Sequence, residues 1–173
     1  SSAEVPTPRT WVVGSAEDLI EPLRDGPVVL RPADVSCSTG TKVLWNVDEV
    51  IDLPLPEGAT LAQEVHPNDQ YAHRVYRIGH QTFAVKRPCW MAFSSETREE
   101  PVPATDEMCE IADRVASMFR SELFGLDLVG AEGRLQVVEV CPFPRLGGVP
   151  DAALRLADYI YARGMEIAEE VRR

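Results

Sequence analysis

Residues 122–149, ELFGLDLVGAEGRLQVVEVCPFPRLGGV, decide the fold. Leu126, Leu128, Val138 and Val140 alternate with their neighbours on either side of Gly130-Ala131-Glu132-Gly133, a pattern that predicts a β-hairpin. With the turn centred near Glu132, Asp127 is expected opposite Val137. Glu139 is then its diagonal neighbour, at roughly 7 Å or less between Cβ atoms, and Cys141 continues the row. Two acids so close repel each other, so basic side chains or a cation are expected between them. Oxygen ligands with room for water suit Mg²⁺, which usually arrives with phosphates. A solvated surface hairpin is the competing reading. Against it stand Pro142-Phe143-Pro144 and Gly147-Gly148, which turn the chain out of the sheet directly after the second acid.

A second basic hairpin is expected in YAHRVYRIGHQTFAVKR, residues 71–87, turning at Gly79-His80. Arg74, Arg77, Lys86 and Arg87 crowd into it, although the chain carries a formal charge of −11. With that turn, residue 74 faces residue 85, and Arg74 and Arg87 are diagonal neighbours on one face. Like charges so close call for an anion: a triphosphate, a substrate phosphate or a nearby acid. Pairing with the surplus Asp and Glu is the plainer alternative.

Phe124-Gly125-Leu126-Asp127-Leu128, then Val138-Glu139-Val140-Cys141-Pro142-Phe143-Pro144 and Gly148-Val149, resembles the metal-binding end of an ATP-grasp domain. That family places an Asp on one strand and Glu-x-Asn on the next, followed by Pro and Gly. The resemblance implies an α+β fold in which two α+β subdomains with mainly antiparallel sheets clasp a nucleotide cleft, with subdomains at residues 1–66 and 67–173. It implies ATP and Mg²⁺ as cofactors, with Asp127 and Glu139 as metal ligands and Cys141 at the family's Asn position. Arg74 and Arg87 take the catalytic places, stabilising the transferring phosphoryl group.

The strand Pro27-Val28-Val29-Leu30-Arg31-Pro32 resembles the family's apolar strand closing in Lys-Pro. Arg31 replaces the lysine and can fork onto two phosphate oxygens; read alone, it is a surface ion pair. Residues 34–42, DVSCSTGTK, stand where the family has a mobile glycine-containing loop over the triphosphate, with Lys42 at its end. An ordinary hairpin turn is the other reading. The strand of residues 60–66 lies at the family's linker, where Gln63, Glu64 and Val65 would bind the adenine through backbone groups; His66 is a plain loop histidine. Arg74-Val75-Tyr76, Arg87-Pro88-Cys89 and Phe93-Ser94 also resemble the ATP-grasp inositol polyphosphate kinases. Ribosomal-protein glutamate ligases and glutathione synthetases share the more general pattern.

The implied function is an ATP- and Mg²⁺-dependent carboxylate–amine ligase working through an acyl phosphate. A kinase for a small polyol or inositol phosphate is one alternative, and a degenerate nucleotide-binding module is the other. The acceptor is a small molecule or a peptide, and the N-terminal domain that usually accompanies the family's fold is expected to be missing or supplied elsewhere. The acidic balance, with pI near 4.7, argues against nucleic acid or anionic membranes as partners. Cys37, Cys89, Cys109 and Cys141 show no CxxC spacing and read as thiols of a cytoplasmic protein.

For the rest of the chain the sequence predicts a short strand at Trp11-Val12-Val13. A helix opened by Ser15 and Asp18 follows, ended by Pro22 and Gly26. A short helical turn is predicted in residues 46–51. Residues 94–103 read as a mobile loop over the site or a disordered bridge. Thr105 is expected to cap a helix burying Met108, Ile111, Ala112, Val115 and Phe119. A closing helix is predicted from Pro150-Asp151 through Leu154, Ala157, Ile160 and Tyr161, with Gly164 a weak point.

Overall fold

The computed structural model describes residues 4–33, 41–51, 53–55, 59–65, 71–88, 99–130 and 133–172. The chain divides into two compact units, Thr7–Asn68 and Asp69–Arg173, the second joined by residues 4–6. Val5 packs on that second unit's core, and the N–H of Val137 donates to the Pro6 carbonyl at 2.8 Å.

In the first unit, β1 (Thr10–Val13), β2 (Val28–Pro32), β3 (Lys42–Leu44) and β4 (Thr60–Glu64) form an antiparallel sheet in the order β1-β4-β2-β3. The apolar run Val28-Val29-Leu30 is buried because β2 lies inside the sheet. After β1 the Asp18 carboxylate accepts from the N–H groups of Ser15 and Gly14, at 2.8 and 2.9 Å, and these bonds hold it below the usual carboxylate range. A 3₁₀ turn, Ala16–Leu19, leads into helix α1, Ile20–Asp25. Pro22 does not end this helix as expected: it occupies the first turn, where no intrahelical partner for its missing N–H is required, and Gly26 alone marks the end. Asn46 caps the 3₁₀ turn Val47–Val50 by accepting from Asp48 N–H at 3.0 Å. Leu19, Leu23, Leu44, Val50 and Ala62 close the core against β2.

The second unit is a five-stranded antiparallel sheet with the order β7-β6-β5-β8-β9. Its strands are β5 (Tyr71–Ile78), β6 (Gln81–Pro88), β7 (Glu100–Val102), β8 (Leu123–Val129) and β9 (Gln136–Cys141). Helix α2 (Asp106–Phe119) lies between β7 and β8 in the chain, and α3 (Ala152–Val171) follows β9. Together the two antiparallel sheets and the helices make an α+β fold.

Thr105 caps α2, its hydroxyl accepting from Met108 N–H at 3.3 Å. Met108, Ile111, Ala112 and Val115 pack on Val75, Ala84, Phe124, Leu126, Leu128 and Val137, which fill one face of the sheet. Phe119 falls outside this stripe and is exposed, because the helix ends there and Arg120 turns into the left-handed region at φ 49°. Of the expected loop over residues 94–103, residues 94–98 lie outside the described residues. The remainder contains β7, which the charges and Pro101 had concealed. An edge strand tolerates a proline because one side of its backbone needs no partner.

His73 stands on the α2 side of β5, opposite Lys86 and Leu128, with its Nδ1 buried and without a partner among the described residues. Burial, and secondarily Lys86, push its pKa below the ordinary value of 6.5. The unfolded chain therefore takes up the proton first. Stability tied to neutral His73 is present above about pH 6.5 and is lost as pH falls below it. The melting temperature is expected to drop between about pH 7 and pH 5.5, and His73→Phe to flatten that drop; equal slopes in the two proteins would contradict this.

Candidate functional site

The other face of the second unit's sheet carries the charge. Strand alternation puts Ala72, Arg74 and Tyr76 of β5 beside Val85 and Arg87 of β6, and beside Gly125, Asp127 and Val129 of β8. The Gly79-His80 turn sets Arg74 opposite Val85 and Ala72 opposite Arg87, as expected from the sequence. Arg74 is also directly opposite Asp127. Its Nε and Nη2 donate to Oδ1 and Oδ2 of Asp127 at 2.7 and 2.6 Å, and Arg87 Nη2 donates to the same Oδ2. The anion required between the two arginines is thus Asp127. Only 4% of Asp127 is exposed, and its hydrogen bonds raise the Arg74 pKa above arginine's ordinary value.

Glu139 is not diagonal to Asp127, as the alternation implied, but directly opposite it. The register shifts between Asp127 and Leu128, with Val138 the extra residue: Leu128 pairs with Val137, and Asp127 with Glu139. Val137 accordingly stays in the α2 core while Val138 packs with Ala72 and Val129 on the charged side. Cys141, half-buried and a free thiol, stands opposite Gly125. Pro144 folds back over β8, so that a Cβ at Gly125 would lie 2.9 Å from Pro144 Cβ. Of the Pro-Phe-Pro segment, Pro144 therefore lies against the strand that carries Asp127, while Phe143 is exposed.

The basic hairpin splits its cations between two faces. Arg77 donates to the Gly79 carbonyl and Thr82 hydroxyl and pairs with Asp113 at 2.9 Å, while Lys86 lies over the Tyr71 ring at 3.9 Å. Both are structural. Arg74 and Arg87, on the opposite face, are the pair gathered on the acid.

Sequence reading named Tyr76 only as part of the Arg74-Val75-Tyr76 resemblance and gave it no role. It is fully buried beside Val85 and Val149, its hydroxyl has no partner among the described residues, and burial followed by the Glu99 charge raises its pKa. The available signal was its position two residues beyond Arg74 on the same face. Glu99 reaches over Gly147, leaving no room for a Cβ there beside its carboxylate.

The nucleotide-binding residues expected earlier in the chain all belong to the first unit. Arg31 is half-buried opposite Leu61, and Lys42 is exposed at the start of β3. Gln63 is buried and donates to Thr10 Oγ1 at 3.2 Å. Arg9 grips the Glu64 carboxylate at 3.1 and 3.2 Å and also reaches Asp25 at 2.8 Å. The N–H groups of Glu64 and Val65 donate to the carbonyls of Arg9 and Pro27, at 2.9 and 3.1 Å. Residues 34–40, His66, Cys89, Phe93 and Ser94 lie outside the described residues.

No protein-family model matches the chain, and neither does any curated protein. Solved structures do match. The ATP-grasp ligase PsnB, complexed with minimal precursor, Mg and ADP, is 19% identical with a TM-score of 0.67, over 91% of this chain and 53% of that one. The RimK domain ATP-grasp protein of Sphaerobacter thermophilus is 17% identical with a TM-score of 0.66, over 90% and 60%. The D-alanine–D-alanine ligase of Bacillus anthracis is 16% identical with a TM-score of 0.70, over 96% and 64%. The chain therefore has the ATP-grasp fold, and it spans 53–64% of the length of these structures. Among the described residues no helix is long and apolar enough to cross a membrane.

Replacing Asp127 by Asn leaves two guanidiniums facing an amide. Breaking a fully buried pair costs about 3–5 kcal/mol. Here the Arg74 and Arg87 side chains are 21% and 29% exposed and can be rehydrated. Asp127→Asn should therefore lower the stability measured by urea unfolding by about 2–3 kcal/mol. Arg87→Gln, which leaves the Arg74 fork in place, should cost less.

Proposed function

We propose that this protein is an ATP- and Mg²⁺-dependent ligase that joins a carboxylate to an amine through an acyl phosphate, with a peptide as acceptor. The observation that supports it most is the buried Asp127, held by Arg74 and Arg87 and faced by Glu139 across the β8–β9 pair. The peptide acceptor is suggested by the neighbours: PsnB was solved with precursor peptide PsnA2 and the macrocyclase MdnC with precursor peptide MdnA.

The donor set fits Mg²⁺. Among the described residues no cluster of three or more His, Cys, Asp or Glu side chains gathers, so a cation here would rest on Asp127 and Glu139 and draw its other ligands from phosphate and water. Asp127 carries about four lone-pair sites, of which three receive guanidinium protons, so one is open while the arginines stay in place. Cys141 is a soft donor and contributes little to a magnesium site.

When bound, Mg²⁺ supplies charge neutralisation at the transferring phosphoryl group. Arg74 and Arg87 supply the rest: two forked cations, partly exposed and fixed on adjacent strands, are suited to phosphate oxygens. The burial of Asp127 excludes water from the acid and strengthens each of these interactions.

A second reading, a nucleotide-binding module without turnover, is favoured by Cys141 and by the internal satisfaction of Asp127. Cys141→Asn separates the two: an enzyme keeps or gains ATP consumption, whereas a scaffold stays inert.

Mg-ATP at about 100 times its Kd should stabilise the fold by about 2.7 kcal/mol, read as a rise in melting temperature. Glu139→Gln should remove the magnesium-dependent part, and Arg74→Met should remove most of the nucleotide-dependent part. With an acceptor peptide, hydroxylamine should trap a hydroxamate. Unchanged melting up to millimolar Mg-ATP would overturn the proposal.

A further inference from the structure

Helix α3 shows the sheet only one of its sides. On that side Arg155 donates to the Pro150 carbonyl and to Gln81 and lies over Phe83, and Tyr159 donates to Glu122. At 100° per residue, the arc facing away carries Leu154, Ala157, Tyr161, Gly164, Ala168 and Val171, flanked by Ile160, Met165 and Ile167. The six large side chains among them, Leu154, Ile160, Tyr161, Met165, Ile167 and Val171, are between 48% and 82% exposed.

The six seam positions recur at intervals of 3, 4, 3, 4 and 3 residues, which is the spacing that packs one helix on another at a shallow angle. The seam is also self-complementary in size. Laid antiparallel on a second copy, about a two-fold axis between residues 162 and 163, it sets Leu154 opposite Val171 and Ala157 opposite Ala168. At the centre Tyr161 falls opposite Gly164, and beside it Ile160 meets Met165. Apart from its own stretch of helix backbone, no atom among the described residues lies within 4 Å of the place a Gly164 Cβ would take, so the notch for the tyrosine is open. The exposed parts of the large side chains amount to on the order of 600 Å². That is at the upper end of the largest apolar patch on a typical monomer, and with the small residues between them it approaches the ~800 Å² per partner of a stable interface.

We propose that α3 is the interface of a homodimer in which two copies pack this face antiparallel, Tyr161 of each against Gly164 of the other. The test uses the whole chain, by sedimentation equilibrium and light scattering from about 1 to 200 µM. The two-chain mass is expected within that range. Gly164→Leu, which fills the notch while strengthening the helix, should weaken dimerisation at least tenfold with the far-ultraviolet circular dichroism and melting cooperativity retained. Disulfide trapping fixes the direction. The double variant Ala157→Cys/Ala168→Cys should give a covalent dimer under oxidation, since within one helix the two positions are about 16 Å apart. Ala157→Cys alone and the unsubstituted chain should not. A monomer at every concentration, a dimer indifferent to Gly164→Leu, or trapping by Ala157→Cys alone would overturn the proposal; the first two would leave this face to another partner.

Discussion

A carboxylate taken out of water must be met by opposite charge, and the second unit meets Asp127 with two guanidiniums from two different strands. The strand order makes this arrangement available. With β5 between β6 and β8, the acid on β8 lies directly opposite Arg74 on β5, and Arg87 on β6 reaches across β5 from the diagonal position. Three strands are thus tied together at one carboxylate. Glu139 on β9 brings a further negative charge to the same face, so that two cations and two anions balance locally. Desolvation of each is partly offset by its neighbours. The cluster is better regarded as a device for fixing charge positions than as a source of stability, because a buried ion pair seldom outweighs an apolar replacement of equal volume.

Stability comes from the opposite face of the same strands. Val75, Leu126 and Leu128, one residue removed from Arg74 and Asp127, point at α2 and bury a continuous apolar layer. One alternation therefore encodes a rigid platform and a charged surface together, and the rigidity of the first holds the second in place. Glu107, in the first turn of α2, accepts from the N–H groups of Gly133 and Leu135 at 2.6 and 3.0 Å, fastening the far end of the β8–β9 hairpin to the helix beneath it.

How much of this was legible in the sequence depended on what fixed each register. The Gly79-His80 turn is a two-residue connection, which leaves no freedom, so the facing of Arg74 and Arg87 followed from counting. The β8–β9 register did not, because a bulge leaves no mark on the alternation. Val138 is apolar in either register, and only the structure reveals that it lies on the side of Asp127 and that Glu139, expected diagonal to the acid on that side, is directly opposite it. Strand β7 escaped because its proline and its glutamate are tolerated only at an edge, and edge position is a property of the whole sheet. Pro22 was misread for a related reason: a proline in a helix's first turn and one that terminates a helix look alike until the helix start is known. The α3 stripe was visible in part, yet periodicity alone could not say that the stripe would face away from the sheet.

The charge balance around Asp127 bears on how the proposed ligands would bind. With both guanidiniums on the acid, little oxygen is left for a cation; phosphate would give Arg74 and Arg87 a more highly charged partner and would release the acid to the proposed metal. Nucleotide and Mg²⁺ would then each favour the arrangement that the other requires. Because coupling free energy is reciprocal, the same factor by which phosphate tightens the metal must tighten phosphate when the metal is bound. On this view the arginines would neutralise a buried carboxylate in the absence of nucleotide and turn to the phosphates in its presence, and side-chain rotation alone would serve both arrangements on the same strand register.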